Sequence, residues 1–329
     1  MSEAQHFGLV KSLVEIEQKL VDVKFALHGS LYYKGETAQE YLSSVANREI
    51  AVIKNLRPSR PSDTPVLLGK TQQGRDEHVH LLEQFLRVLP HILPPQETLR
   101  PVLLHHDLHS DNIFVDSSDP TKISSIIDWQ AVYAAPLFMQ AKFPSIFDCD
   151  DPYPWGAVQP KLPEDFDALS QSEKELAEDA LVRLRLKKFY ELASRKFNAP
   201  LVMAMDAMRR DDDPTSFIFH IVGQSSQDGP IPLKELLIQI YEKWDQIMER
   251  RGLATPCPIS FSKDEIDKSR RQVKEWADAY GEFDALRANI VGKDGWVSHE
   301  EYDEAMRRWD NNRATLERLQ ERLDKVLLH

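Results

Sequence analysis

Apolar residues recur every three or four positions along most of the chain, the period of a helix that buries one face. Tyr41, Leu42, Val45, Ala46, Ile50, Ile53 and Leu56 form one such stripe. Thr37 stands in front of it with Glu40 three residues on, a spacing at which a hydroxyl and a carboxylate each satisfy a free first-turn amide. Pro58, Pro61 and Pro65, set among small polar residues, end that helix. Val79, Leu82, Phe85, Leu86 and Leu89 predict a second helix over about 75–89, which Pro90, Pro94 and Pro95 close. The period changes near residue 100. Val102-Leu103-Leu104 is a short apolar run, while Ile113-Phe114-Val115 and residues 123–127 are β-rich. Between the last two lies Asp116-Ser117-Ser118-Asp119-Pro120, a turn sequence, so the segment predicts a hairpin. From about residue 170 the pattern is helical again, with capping spacings at Ser172/Glu175, Ser262/Glu265 and Ser298/Glu301. The last stripe is Tyr302, Met306, Trp309, Leu316, Leu319, Leu323 and Val326, interrupted at Asn312 and Arg313. Core packing is the preferred reading of it; a partner helix docked through 298–328 is the other. Trp244, Trp276 and Trp309 are likewise expected in the core.

Composition narrows the class without naming a chemistry. The 329 residues are 42% hydrophobic and 29% charged, enough apolar surface for a core and too much for a disordered chain. The net charge of −12, with no long Lys/Arg run, argues against a nucleic-acid partner bound through a basic surface. No apolar run approaches a membrane span; Phe217 to Val222 is broken by His220. Glu3, Glu15, Glu17 and Asp22 are wrong for a secretory or transit peptide, so an intracellular protein, cytoplasmic or mitochondrial, is expected. Cys149 and Cys257 make no disulfide framework, and neither has a basic neighbour in sequence to activate it. Only 12 glycines occur and none is spaced as Gly-x-Gly, so a glycine-rich phosphate loop is not encoded.

The chemistry concentrates in Leu104-His105-His106-Asp107-Leu108-His109-Ser110-Asp111-Asn112, followed by Ile126-Ile127-Asp128-Trp129. Phosphoryl transfer needs a carboxylate to take the acceptor hydroxyl's proton, and an amide oxygen with a second carboxylate to hold Mg²⁺ on the phosphates. His105, Asp107, Leu108 and Asn112 fall in the register of a kinase catalytic loop, and Asp128 comes one hairpin later. Mg²⁺ keeps waters and takes phosphate oxygens, so one amide and one carboxylate suffice from the protein.

His-x-Asp-Leu-His-x-x-Asn followed by Ile-Asp-Trp resembles the aminoglycoside phosphotransferase and choline-kinase-like family, and within it a large fungal branch. Gly29-Ser30-Leu31-Tyr32-Tyr33 and Asn47-Arg48-Glu49-Ile50 resemble that branch too. Protein kinases differ, with Lys in place of His109 and Phe-Gly in place of Trp129-Gln130. The resemblance implies a protein-kinase-like fold and ATP-dependent transfer to a small-molecule hydroxyl. It implies Asp107 as catalytic base, Asn112 and Asp128 as Mg²⁺ ligands, and His105 and His109 as supports of the loop. The fold expected is mainly α: a kinase-like C-lobe with one small catalytic hairpin and no N-lobe sheet. Residues 1–165 would be the lobe's core, with the catalytic and metal-binding segments; 166–329 would be its helical remainder and a helical extension.

The departures from that pattern shape the expectation further. Such kinases carry a phosphate-covering loop, a nucleotide Lys and a partner Glu upstream, yet only about a hundred residues precede His105. Ala51-Val52-Ile53-Lys54 mimics a nucleotide-lysine strand but lies within the first helical stripe. Gly69-Lys70-Thr71 is no Walker loop, because Thr64 stands where its first glycine belongs. ATP binding is therefore expected to be impaired and activity weak or absent; a non-catalytic, pseudokinase-like interaction module is the alternative. A third reading takes His105, His106, Asp107 and His109 as a transition-metal cluster. Asp148, Asp150 and Asp151 with Tyr153 and Trp155 are read as a solvated acidic loop before a cation site. Asp294, Gly295 and Glu301 sit like three positions of a Ca²⁺ loop, but Ile290 and Gly292 occupy two ligand positions, which leaves a turn before a capped helix.

Overall fold

The computed structural model describes residues 2–328 except 29–36, 56–71, 131, 150–151, 210–212 and 293–296. In chain order the elements are helices α1 (Glu3–Asp22), α2 (Ala38–Asn55) and α3 (Gln72–Ile92), strands β1 (Pro101–Val102), β2 (Ile113–Val115), β3 (Ile123–Ile126) and β4 (Ala135–Pro136), and helices α4 (Leu137–Gln140), α5 (Gln171–Phe197), α6 (Ala199–Met208), α7 (Ile218–Gly223), α8 (Ser225–Asp228), α9 (Pro230–Glu242), α10 (Trp244–Arg250), α11 (Lys263–Val291) and α12 (Tyr302–Leu328). The fold is mainly α, as expected; among the described residues the strands make two antiparallel pairs, β1 with β4 and β2 with β3. The chain divides into two compact units, each built from two stretches: residues 1–41 with 94–210, and 42–93 with 211–329. Residue 165 lies inside the first unit.

In the first unit α1 lies along α5, burying Val10, Leu13, Val14 and Val21 from one side and Leu184, Tyr190 and Ala193 from the other. The Phe7 and Phe189 rings meet at 4.7 Å. Two acids are taken into this core, by different means. Tyr190 donates its hydroxyl to Glu17 Oε2 at 2.6 Å with no cation among the bonded groups. Glu191 is instead ringed by donors: Lys188 Nζ at 2.7 Å, Tyr153 OH at 2.5 Å, the Gly156 amide at 2.8 Å and Arg195 Nε at 3.0 Å. Burying a charge requires such pairing, and Glu191 has it where Glu17 does not. The outcome is opposite for the two acids: burial pushes the Glu17 carboxyl up to about 7, whereas the bonds around Glu191 outweigh burial and hold it below its ordinary value.

The short sheet of β1 and β4 is completed by a side chain. Gln140, buried in α4, accepts from the Leu104 amide at 3.0 Å and donates to the carbonyls of Val102 at 2.5 Å and Ala135 at 3.1 Å. One amide thus replaces the ladder bonds that a longer strand would make, and it fixes the backbone immediately before His105.

In the second unit α9 packs against α3, α7 and α11, around Leu82, Phe85, Phe219, Leu233, Leu237 and Ile240. Arg251 donates to the carbonyls of Ile92, at 2.8 Å, and Leu93. Those bonds satisfy the end of α3, which runs through Pro90 instead of closing there. A proline in the last turn removes one backbone bond only, and the arginine serves the carbonyls beyond it. Ala51-Val52-Ile53-Lys54 is helical within α2, with Ile53 buried and Lys54 exposed. In α12 the expected stripe divides: Leu316, Leu323 and Val326 are buried, whereas Tyr302, Met306 and Trp309 stand exposed. Trp309 is therefore not a core residue, unlike Trp244; α12 packs on α11 around Ala279 and Leu323 and, nearer its start, buries Ala305 and bonds Arg308 to the Asn289 carbonyl at 3.1 Å, while Trp309 faces outward.

The capping signals at Thr37/Glu40 and Ser262/Glu265 form reciprocal bonds. That at Ser172/Glu175 does not: the box is Ser170 with Glu173, two residues upstream, and Glu175 takes the Gln171 amide at 3.0 Å instead. The upstream serine lets α5 begin earlier. The proline-rich stretch 57–65 and Gly69-Lys70-Thr71 lie outside the described residues, as do Asp294 and Gly295; Ser298 and Glu301 are bonded at 2.8 Å. No helix among the described residues is long and apolar enough to cross a membrane.

The buried polar groups carry two stability predictions. A carboxyl with a raised folded-state pKa binds its proton more tightly folded than unfolded, so stability falls as pH rises from about 4.5 to about 7, at about 1.4 kcal/mol for each unit between the two values. Glu17→Gln should remove that component, so the difference in unfolding free energy between variant and parent, measured by denaturant titration, should change across this window and be flat above it. Gln140→Leu should destabilise the first unit by about 1–3 kcal/mol, because it strands the Leu104 amide and the Val102 carbonyl; an unchanged denaturation midpoint would contradict the account of β1 and β4.

Candidate functional site

Gln140 delivers the backbone to His105, and His105 ties the catalytic-type loop to the hairpin exit. Its Nδ1 accepts from the Asp107 amide at 3.2 Å, so the ring proton belongs on Nε2, which donates to the Ile127 carbonyl at 2.9 Å. These partners assign a neutral ring with a fixed tautomer. The imidazole is buried and meets the Trp129 ring edge-on at 4.9 Å. One side chain therefore bonds the loop carrying Asp107 to the backbone next to Asp128.

Asn112 makes a second cross-link. Its Nδ2 donates to the Asp107 carbonyl at 2.9 Å, and its own carbonyl accepts the Ile127 amide at 3.0 Å. The described bonds of the side chain use Nδ2, which leaves Oδ1 as the acceptor for a further group. Asn112 is itself buried, whereas the Asp107 side chain is 65% exposed, which gives the loop a fixed amide and an accessible carboxylate.

His109 stands between them. Its Nε2 lies 3.1 Å from Asn112 Nδ2 and 3.4 Å from Asp107 Oδ2, and its Nδ1 accepts from the Asp111 amide at 3.3 Å. Because Nδ1 accepts from that amide, the proton of the neutral ring sits on Nε2 and faces Asp107 Oδ2, and the ring fills the space between base candidate and amide candidate. His106 turns elsewhere, stacked on Tyr133 at 5.1 Å, with burial lowering its pKa. The transition-metal reading fails on this geometry, since adjacent imidazoles face different partners. Among the described residues no group of three His, Cys, Asp or Glu side chains is placed to hold a metal.

The hairpin supplies the third group. Ile113 pairs with Ile126, Phe114 with Ser125 and Val115 with Ile123, with a bulge between Phe114 and Val115. Its turn is held by two aspartates: Asp116 Oδ1 accepts from the Ser118 amide and hydroxyl, and Asp119 Oδ1 from the Thr121 amide and hydroxyl. These bonds hold both carboxyls below their ordinary range. At the other end the chain leaves β3 through Ile127 into Asp128, which is exposed and takes φ = +62°, a left-handed conformation that aspartate tolerates better than most side chains. Trp129 Nε1 closes the corner by donating to the Ile126 carbonyl at 2.9 Å. The sequence-predicted set 105, 107, 109, 112 and 128 thus lies on one hydrogen-bonded loop-and-hairpin assembly within the first unit.

The acidic loop has a different role. Trp155 donates to Asp206 Oδ1 at 2.6 Å and Tyr153 to Glu191, so both aromatics belong to the α5–α6 framework. Their faces are already covered by the protein's own cations, with Arg209 4.7 Å from the Trp155 ring and Lys188 4.4 Å from Tyr153. Asp150 and Asp151 lie outside the described residues. Missing from the sequence reading were Gln140, Lys188 and Glu191; each has the character of an ordinary helical polar residue, and each has a partner 32 to 38 positions away.

Residues 14–139 match the phosphotransferase enzyme family. The chain is 27% identical over 282 residues to a subtelomeric hrmA-associated cluster protein of Aspergillus fumigatus, covering 84% of this chain and 54% of that one; its counterpart in a second strain matches equally. It is 22% identical over 263 residues to the mitochondrial altered inheritance of mitochondria protein 9 of Vanderwaltozyma polyspora, covering 79% of this chain and 36% of that one. The chain thus spans about half the length of the first relatives, and less of the third. No solved structure matches it. The matched stretch, residues 14–139, holds the catalytic-type loop and its hairpin.

Proposed function

We propose that the first unit carries a site for transfer of the ATP γ-phosphoryl group to a small-molecule hydroxyl, with turnover in this chain weak because its sequence encodes no glycine-rich phosphate loop. The observation that supports this best is the double tie of the loop to the hairpin, His105 to Ile127 and Ile127 to Asn112. It gives an exposed carboxylate, a buried amide and a second exposed carboxylate a common rigid base. The donor set fits Mg²⁺ held on nucleotide phosphates, since one amide oxygen and one carboxylate leave most of an octahedral shell to phosphate and water. Asn112 Oδ1 and Asp128 would hold the ion, which when bound neutralises charge on the transferring phosphoryl group.

Asp107 acts as the base. It takes the proton from the acceptor hydroxyl as that oxygen bonds to the γ-phosphorus and the bond to the β–γ bridging oxygen breaks, releasing ADP. Its exposure leaves room for an acceptor, and His109 Nε2 orients it from the side. His105 touches no reactant in this scheme and serves through the peptide groups it holds.

Transfer of label from γ-labelled Mg-ATP to a mixture of small alcohols, sugars and amino alcohols tests the proposal. Asp107→Asn should lower transfer by about 10²–10⁴-fold, the range for removal of a general base, with an unchanged melting temperature; equal transfer by variant and parent would remove Asp107 from the role. His105→Ala should lower transfer and also destabilise the unit by about 1–3 kcal/mol, because two partly buried bonds, to the Ile127 carbonyl and from the Asp107 amide, are lost together.

A further inference from the structure

The hairpin that carries Asn112 at one end and leads into Asp128 at the other leans on helix α1, and the contact is close at one place. A Cβ added at Gly8 would stand 2.7 Å from Thr121 Cβ and 2.8 Å from its Cγ2, closer than carbon atoms approach. Thr121 cannot turn aside freely. It is β-branched, so its χ1 choices are few, and both its amide and its hydroxyl are bonded to Asp119 Oδ1, at 3.1 and 2.6 Å. One turn along the helix, Ser12 Oγ accepts the Ile123 amide at 3.3 Å, on the edge of β3. Beside these contacts the surfaces do not close: a cavity of about 90 Å³ remains, lined by Leu9, Val10, Leu13, Ile113 and Ile123 among others. The seat of the hairpin on α1 is therefore defined by the Gly8–Thr121 approach and the Ser12–Ile123 bond, with empty space where tight packing would otherwise resist displacement. Gly8 and Ser12 precede the stretch that matches the phosphotransferase family.

We propose that α1 is a strut that sets the angle of the catalytic hairpin, with Gly8 and Ser12 as positioning residues for Asn112 and Asp128. The inference rests on the functional reading above. A push at Thr121 is carried through the aspartate-braced turn and along strands of three and four residues, roughly 10 Å at about 3.3 Å per residue. It arrives at the Ile113–Ile126 pair and at the bond from the Ile127 amide to the Asn112 carbonyl. There it changes the spacing of the two metal-ligand candidates and leaves Asp107 on the other side of the His105 tie.

Mn²⁺ is the probe, read as selective broadening of amide NMR signals near residues 107, 112 and 128, with the midpoint concentration as the measurement. Gly8→Ala should raise that midpoint about tenfold at an unchanged melting temperature. Thr121→Gly in the same chain should restore it to within about threefold of the parent, a non-additive pair. Ser12→Ala should raise the midpoint less, and should speed hydrogen exchange at Ile123. A Gly8→Ala midpoint within twofold of the parent, while Asp128→Asn abolishes the effect, overturns the strut and leaves the functional reading standing. Absence of local broadening in the parent, or broadening untouched by Asp128→Asn, overturns both. Equal loss in Gly8→Ala and the double variant also overturns the strut, since the approach to Thr121 would then not be the cause.

Discussion

A single neutral imidazole holds the functional region together. His105 has one nitrogen accepting and one donating, and both partners are backbone groups, from the loop on one side and the hairpin exit on the other. A charged ring could not serve, because its Nδ1 would carry a proton toward the Asp107 amide. The ring is buried and meets the indole of Trp129 edge-on. Everything chemical on this surface is then exposed on a base that is not: Asp107 and Asp128 reach solvent, while His105 and Asn112 are fixed within. Gln140 extends the same logic one step upstream, an amide side chain standing in for sheet that the chain does not build there.

The helical framework beneath shows two solutions to an acid in a core. Glu191 keeps its charge by assembling a lysine, an arginine, a tyrosine and a backbone amide around it, which also anchors the loop bearing Tyr153 and Gly156. Glu17 has a tyrosine alone and keeps its proton to near neutrality. Pairs of this kind stabilise less than their short distances suggest, because desolvation offsets much of the attraction. Their larger effect is geometric: they fix α5 against its neighbours, and α1 rides on α5.

Local chemistry was legible in the sequence where it depended on neighbours in the chain. The loop motif, the hairpin with its Asp-Ser-Ser-Asp-Pro turn, the helical stripes and the caps at Thr37 and Ser262 all arise from spacing within a few residues. The cap at Ser172 went astray because two overlapping serine–glutamate signals differ by only two positions, and nothing local ranks them. Pro90 misled for the opposite reason: the residue that lets α3 continue, Arg251, is distant in sequence. Gln140, Lys188 and Glu191 were invisible on the same ground. Trp309 shares the period of the stripe, but the buried position on that part of α12 is Ala305, and periodicity alone does not say which side of the helix the neighbour covers.

Asp128 has its own consequence for how this surface can drift over generations. Its left-handed backbone excludes β-branched and bulky replacements, but asparagine and glycine adopt that conformation with ease. The substitutions the backbone admits most readily are thus the ones that erase the negative charge. A gene copy could lose the carboxylate while the chain went on folding as before, so an intact fold in a descendant says nothing about whether the charge at this corner survives.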